Sequence, residues 1–422
     1  MIIERDNQFD DFIRENQDSD CILIPILSDV KNHAKQNTLS AVYVKIIDGV
    51  ERIVCLNHGE TLKMNIDLLE LNKLGKKYCY DKKELNHLVK LDNVIDVNLQ
   101  YYMKKNEPLV LEELSTPTHD YFYRTMWRIK NINRIIPIWK HIELCRVKTQ
   151  VLEKYIDLPI HQDYNDEIID NLTHIEENGL RKDDKIVYSQ YNLYTSTGRP
   201  SNRFGGINFA ALNKTDGSRK PFKSRFEDGM LIEYDFDAYH LRLIGNLLKY
   251  NFPKGSVHEH MGEFYGCDYQ ESKNRSFQYL YGHIPKEVVE INPFFKKVQD
   301  YINQTWKDYK RGHFIESDIY IKKIFKQNLS AMNRNKLFNY MIQLLETENN
   351  MKVLNDLIPF IKDYESKLVL YSYDSFLFDF KISDGLDFLK QVKGILEMDG
   401  LFPTKVAKGL NYHEMKDITE KL

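Results

Sequence analysis

The sequence predicts an α+β fold, and three features carry that prediction. Apolar runs bounded by turn residues read as strands within residues 1–140. Residues 257–362 read as a largely helical stretch. Two apolar strands, "LIEYDF" (231–236) and "KLVLYSYDSFLFDF" (367–380), carry an aspartate where the apolar run breaks. A length of 422 residues suits two or three domains.

The elements follow in chain order. "CILIPIL" is a buried-strand candidate, and "AVYVKIIDGVERIVCL" is a hairpin turning at Asp48-Gly49. "DKKELNHLV" and "HDYFYRTMWRIKNINRIIPIWKHIELC" carry helical periodicity. "NDEIIDNLTHIEENGL" is a helix closed by Asn178-Gly179. A Gly-, Asn- and Arg-rich loop runs from Thr195 to Arg225. The strand over 231–235, a helix from Ala238 and the helical stretch come next. A hairpin at 367–380, turning at Asp374-Ser375, a helix near 383–398 and a strand near 404–407 end the chain. No internal repeat or low-complexity segment interrupts this order.

Composition is that of an ordinary globular protein, 42% hydrophobic and 29% charged. The net charge of −3 means that any nucleic-acid contact must come from local basic patches. The five cysteines are scattered, without a CxxC pair or a His at zinc spacing, so a reduced, cytoplasmic protein is expected. The opening MIIERDNQFDDF has no apolar signal core, and no apolar run is long enough to span a bilayer, so no membrane partner is expected. The 27 Tyr and 22 Phe are read first as core, with base stacking as the functional alternative.

Strand alternation puts Glu233 and Asp235 on one face and Ile232 and Tyr234 on the other. Asp235 and Asp374, on neighbouring strands, could hold a divalent pair and align an in-line phosphoryl transfer. Either aspartate alone is ordinarily a turn former. Asp237, just before a helix, is read as that helix's cap rather than as a metal ligand. In "ESKNRSFQYLYGH", Lys273, Phe277 and Tyr281 fall at i, i+4 and i+8, one face with a cation for phosphate and two rings for base and sugar. Taken alone, the same pattern is an amphipathic helix with a snorkelling lysine. "LFNYMIQ" sets Asn339 and Gln343 on one face, suited to base edges or a template strand.

In order, these motifs resemble those of family A DNA polymerases over roughly the last 230 residues. "TSTGRPSNRFGGINFAALNKTDGSRKPF" is similar to the T-G-R-x-S loop, with Asn208 at its later Asn and Arg219, Lys220, Lys223 and Arg225 forming a basic run. "DFDAYHLR" is similar to motif A (D-Y-S-x-x-E-L-R) at Asp235, Leu241 and Arg242. "KNRSFQYLYG" is similar to motif B (K-x-x-x-F-x-x-x-Y-G) at Lys273, Phe277, Tyr281 and Gly282. "NYMIQ" matches N-x-x-x-Q, "YDS" stands where motif C has H-D-E, and "FPTKVAKGLNYHEMK" resembles the closing strand and G-x-N-W tail.

The resemblance implies a right-hand polymerase palm and fingers over 195–422, with the fingers near 243–335. Asp235 and Asp374 would be the catalytic metal ligands for two Mg²⁺ ions acting on a primer 3′-OH and the leaving pyrophosphate. Lys273 would meet the triphosphate, and Phe277, Tyr281 and His240 would shape the nucleotide pocket. Arg199, Asn339 and Gln343 would touch primer–template DNA near its terminus, with Asn208 and Arg242 in the same DNA-binding set. Primer–template and dNTPs are the implied partners. The sequence departs from the family at His240, where motif A has a Glu that packs on the motif B Tyr and blocks a 2′-OH. Ser375 and Tyr373 replace the Glu and His of motif C, Tyr269 stands where motif B begins with Arg, and Gln278 replaces a Gly.

Residues 1–140 resemble the family's 3′–5′ exonuclease domain, an RNase H-like fold. "GKKYCYDKKEL" and "VIDVNLQYYM" are similar to its second motif, with Asp81 at the acidic position. The first strand lacks D-x-E, leaving Asp29 as the alternative ligand, and "MWRIKNINRII" offers asparagines where Y-x-x-x-D belongs. The expectation is a folded domain without proofreading. Residues 141–194 are expected to hold linker helices and a reduced thumb, because "YNLYTSTGR" follows Leu180 almost at once. Low processivity follows, with a processivity factor or helicase/primase as the partner that would supply grip. The divergence and truncation suit a viral chain, acting in the host cytoplasm. Two rival readings stay open: a catalytically inactive replisome or DNA-binding relative, and a single-subunit RNA polymerase, for which His240 speaks.

Overall fold

The computed structural model describes residues 2–111, 116–158, 162–253, 255–317, 322–325 and 331–422. The chain divides into two compact units, residues 1–173 and 174–422. Among the described residues no helix is long and apolar enough to cross a membrane.

The first unit is built on six strands: β1 (Ile2–Ile3), β2 (Cys21–Leu27), β3 (Leu39–Ile46), β4 (Glu51–Cys55), β5 (Lys77–Cys79) and β6 (Val94–Asp96), in the order β1-β4-β3-β2-β5-β6. β2, β3 and β4 form an antiparallel meander, and β5 and β6 extend it in parallel from the β2 edge. "CILIPIL" is apolar throughout because both faces of β2 are covered. Cys21 and Leu23 join one core layer with Phe9, Phe12 and Ile13 of helix α1 (Asp6–Glu15). Ile22, Ile24 and Ile26 join the other with residues of α3 (Val97–Lys105) and α5 (Ile138–Leu152). The hairpin turns at Asp48-Gly49 as expected, with Asp48 at φ 54°. Asp81 and Asp96 cap α2 (Lys82–Asn86) and α3, accepting from Glu84 N and Leu99 N.

The expected long helix after residue 118 is two, α4 (Pro117–Thr125) and α5. The break falls where Asn131 adopts a left-handed conformation and Pro137 opens α5. Helix α6 (Gln162–Asn178) contains the division between the units and closes at Gly179, φ 58°.

The second unit opens with small strands rather than helices: β7 (Leu180–Lys182), β8 (Lys185–Val187), β9 (Tyr191–Asn192), β10 (Ser201–Asn202) and β11 (Phe222–Lys223). Its main sheet is antiparallel, in the order β15-β16-β12-β17-β18, from β12 (Gly229–Phe236), β15 (Lys367–Ser372), β16 (Ser375–Lys381), β17 (Thr404–Gly409) and β18 (Lys416–Asp417). β12 lies at its centre. Its Tyr234 face is closed by α13 (Gly385–Glu397), with the phenol donating to Leu389 O at 2.9 Å. Leu231, on the opposite face, packs with Phe209, Phe222 and Tyr412.

The Thr195–Arg225 loop is tied to this sheet by buried polar bonds. Asn202 donates to Tyr371 O at 2.9 Å. Ser224 and Arg225 both donate to the fully buried Asp379, at 2.6 and 2.7 Å. Two of the four cations in the basic run are thus structural. Arg225 neutralises Asp379, and Arg219 lies over the Tyr412 ring and donates to Leu212 O.

After β12 come α7 (Tyr239–Leu247), α8 (Val257–Tyr265), α9 (Tyr269–Tyr281), α10 (Lys286–Ile291), α11 (Pro293–Gly312) and α12 (Arg334–Ile361). Ser256 and Asp268 cap α8 and α9 through Glu259 N and Glu271 N, and Gly266 ends α8 at φ 63°. Leu241, Met261, Leu280, Phe294, Val298 and Phe338 share their core. The expected helical stretch is interrupted by a hairpin, β13 (Phe314–Glu316) with β14 (Lys323–Phe325). Residues 318–321 and 326–330 of that stretch lie outside the described residues.

Candidate active site

β12 and β16 bring the two aspartates side by side. Asp235 is opposite Ser375 in the register, and Phe236 N donates to Asp374 O at 2.9 Å. The β15–β16 connection turns at Tyr373-Asp374, one residue earlier than the sequence suggests, because Ser372 pairs with Ser375. Tyr373 sits at φ 59°, an uncommon conformation for a bulky residue. Two contacts hold it: Asn350 donates to its carbonyl at 2.6 Å, and the Arg199 guanidinium lies 3.6 Å from its ring centroid.

A cavity of about 490 Å³ opens at this strand end. Its walls include Asp235 and Asp374, Lys273, Phe277 and Tyr281 of α9, and Arg199 and His240. Seven of the candidate residues therefore meet in one place. Four do not line it. Asn208 is exposed on its loop. Arg242 turns to Asp237, Nη2 to Oδ2 at 3.5 Å. Asn339 donates to Tyr281 O at 3.3 Å, and Gln343 accepts from Thr197 Oγ1 at 2.9 Å, which ties α12 to α9 and to the loop.

Asp237 is not the cap of α7. Ala238 holds that position in a left-handed conformation, φ 51°, and no side chain caps the helix. The Asp237 carboxylate instead lies 2.8 Å from Lys405 Nζ. A tertiary ion pair has won over the local capping preference. Burial works against its charge, but Lys405 and then Arg242 hold its carboxyl below the usual range.

The face of α9 is longer than the sequence pattern indicates. Tyr269, Lys273, Phe277 and Tyr281 all border the cavity, and the Phe277 and Tyr281 rings run parallel within 3° at 5.9 Å. His240 Nδ1 hydrogen-bonds the Tyr281 hydroxyl. On its other side His240 Nε2 lies 3.3 Å from Glu346 Oε2, and Glu346, fully buried, also lies 2.8 Å from Arg199 Nε.

Glu346 and Lys405 were not singled out from the sequence. Glu346 follows Asn339 at i+7 and Gln343 at i+3, so the helical period could have found it. Lys405 faces Asp235 across β17, a pairing that only the strand register gives.

The carboxylates are poised for a cation. Burial, opposed by Lys214 and assisted by Glu233, raises the Asp235 carboxyl. Asp374 is reached by solvent through the open cleft, yet protein crowds it. That crowding, then Asp235 and Glu346, push it up to about 6. The Lys214 ammonium stands 3.5 Å from Asp235 and 3.9 Å from Glu233, where positive charge is called for. Two oxygen-donor carboxylates with raised values around one opening fit hard divalent cations such as Mg²⁺.

In the first unit, Asp29 accepts from Lys31 N at 2.8 Å and from Asn131 N at 3.2 Å, so backbone donors take both its carboxyl oxygens. Asp81 and Asp96 act as helix caps.

The fold is that of a polymerase domain. The chain is similar to the POL domain of Pol1 from M. smegmatis, solved in complex with DNA primer-template and dNTP, with a TM-score of 0.71. The similarity covers 98% of this chain and 100% of that one at 13% identity, so it is carried by structure and not by sequence. No family model and no curated protein matches the sequence.

Proposed function

We propose that the chain is a template-directed DNA polymerase that extends a primer 3′-OH with dNTPs. One observation carries the reading. On a polymerase fold, the Asp235–Asp374 pair opens into the same cavity as the Lys273–Phe277–Tyr281 face. Asp235 and Asp374 would hold two Mg²⁺ ions, which when bound supply activation of the 3′-OH and neutralise the pyrophosphate.

The chain's own residues do the rest. Lys273 brings an ammonium to the triphosphate. Phe277 and Tyr281 offer parallel rings to the base and sugar. His240, bonded to the Tyr281 hydroxyl, fills the space beside the sugar where a 2′-OH would project. Arg199 reaches the cavity from its loop. Asn339, Gln343, Asn208 and Arg242 frame the primer–template, with Asn339 and Gln343 closest through Tyr281 and Thr197. The palm and fingers span 195–422, the fingers near 243–335. The hairpin β7–β8 after α6, in place of long helices, supports a reduced thumb within 141–194 and low processivity, with a processivity factor or helicase/primase as partner.

Residues 1–140 act as an exonuclease-type, RNase H-like domain that does not proofread. The meander extended by two parallel strands supports that fold, and the backbone-satisfied Asp29 supports the loss of hydrolysis. A viral chain working in the host cytoplasm suits this reduced form.

The RNA polymerase reading is favoured only by His240 in place of a carboxylate. Primer extension with dNTPs and rNTPs decides among the readings. Extension with dNTPs that Asp235→Ala and Asp374→Ala abolish supports the proposal. Preference for rNTPs supports the RNA polymerase reading, and no extension supports an inactive DNA-binding relative.

A further inference from the structure

The strand register sets Lys405 of β17 directly opposite Asp235 of β12, so both side chains leave the sheet on one face. The Lys405 ammonium nevertheless does not settle on Asp235. It stands 2.8 Å from Asp237 Oδ1 and donates to the Tyr269 hydroxyl at 3.2 Å. It thus reaches from the central sheet to the first turn of α9, along the wall of the cavity that also holds Asp235, Asp374 and Lys273.

At that turn α9 lacks a charge. Tyr269 and Lys273 stand one turn apart on one helix face. The motif that α9 resembles has an arginine and a lysine at these two positions, and this chain has a tyrosine at the first. Lys405, held on the hydroxyl of that tyrosine, returns a positive charge to the same face from a strand of the sheet. The other charged or chargeable groups of the wall are engaged or neutral. Lys214 stands beside Asp235 and Glu233, and Arg199 beside Glu346. His258, its ring centroid 5.6 Å from that of Tyr269, is neutral because burial lowers it to about 4. Lys405 itself shares Asp237 with Arg242, so two cations meet one carboxylate and the group keeps a net positive charge. Burial works against the Lys405 charge, but Asp237 and Tyr269 hold its ammonium above the ordinary range. Its side chain is 53% exposed, within reach of a ligand in the cavity.

We propose that Lys405 is a second phosphate-binding residue of the nucleotide site, taking the triphosphate together with Lys273 while Tyr269 orients its ammonium. That the phosphate belongs to a dNTP rests on the polymerase reading above. A triphosphate carries several negative charges, and phosphoryl-transfer sites meet them with cations fixed before the reaction. Lys273 comes from the helix side of the cavity and Lys405 from the sheet side, so the two grip the triphosphate from different elements. Asp237 holds the Lys405 side chain in place before nucleotide arrives. Asp237 alone does not account for Lys405, since Arg242 already offers that carboxylate a partner.

The test measures kcat and KM for dNTP in primer extension. Separately, it measures the rise in Tm that inorganic tripolyphosphate with Mg²⁺ gives the full chain, which needs no extension. Lys405→Met is expected to raise the KM about tenfold, with a smaller change in kcat, and to remove most of the Tm rise. Lys405→Arg should keep most of both. Asp237→Asn with Lys405→Met removes the carboxylate that the single variant leaves short of a partner, and its KM should stay raised because the phosphate contact is still missing. Tyr269→Arg with Lys405→Met should recover most of the KM by putting the cation on α9. An unchanged KM and Tm rise in Lys405→Met would overturn the proposal. So would a wild-type KM in the Asp237→Asn double variant, which would leave Lys405 as a counterion only. A wild type that extends no primer would sink the polymerase reading; a tripolyphosphate effect that Lys405→Met still removed would leave the phosphate site standing.

Discussion

His240 of α7 and Tyr281 of α9 meet side chain to side chain, their ring centroids 5.8 Å apart and their planes at 83°. The imidazole bonds the Tyr281 hydroxyl from the position where the resemblance would put a glutamate. If the imidazole also closes the sugar pocket, His240→Ala opens it. The expected outcome is a rise of about tenfold or more in the ratio of rNTP to dNTP kcat/KM. An unchanged ratio would show that another group excludes the 2′-OH.

The glutamate expected by resemblance cannot simply be restored. His240 lies 3.3 Å from the buried Glu346, so His240→Glu sets a second carboxylate against a buried one. The single variant should melt below wild type, and His240→Glu with Glu346→Gln should recover most of the loss. Glu346→Leu alone leaves Arg199 without its partner. It should destabilise by roughly 2–4 kcal/mol, since breaking a buried pair costs more than replacing it whole. Thermal melts of wild type, His240→Glu, Glu346→Gln and their double variant check this, and additive effects would contradict the coupling.

Asp374 gives a pH dependence to the metal-free protein. Its folded value, about 6, exceeds the ordinary 3.8, so ionising it works against the folded state. Its contribution to stability is therefore fully present below about pH 3.8 and is lost as pH rises through about 6. Measured as the difference in Tm between wild type and Asp374→Asn without metal, wild type should fall behind as pH passes from 4 to 7. Adding Mg²⁺ at pH 7 should raise the wild-type Tm and leave the variant nearly unmoved. A Tm difference flat across that range would refute the carboxylate pairing.

Lys273 should act on nucleotide binding more than on turnover. Lys273→Ala is expected to raise the KM for dNTP by about tenfold or more, with a smaller change in kcat, because in the proposed reading the ammonium would meet the triphosphate before and during transfer. A fall in kcat at unchanged KM would place its role in the transition state alone.

Much of this site is legible in the sequence because it rests on local periods. The two-residue alternation of "LIEYDF" fixes which face Asp235 takes, and the four-residue steps from Lys273 to Tyr281 fix the helix face. What is not legible depends on register and tertiary pairing. Lys405 reaches Asp237 only because β17 runs antiparallel to β12, and that pairing overrides the capping preference of Asp237. The short hairpin within the expected helical stretch packs Ile315 and Ile324 with Tyr309, Leu337 and Leu344 of the helices on either side, and the one-residue shift of the Tyr373 turn is held from distant segments by Asn350 and Arg199. Glu346 lay within reach of the helical period, but nothing local tells a buried acid from an exposed one.

The central claim is that Asp235 and Asp374 together drive nucleotide addition in this cavity. Single-turnover primer extension with dNTPs and Mg²⁺ tests it directly, using wild type, Asp235→Ala, Asp374→Ala and the double variant. Wild type should extend the primer and each single variant should lose at least about a thousandfold, with the double variant no worse, since residues acting as a unit are not additive. Extension that survives either substitution, or a wild type no faster than the variants, would contradict it.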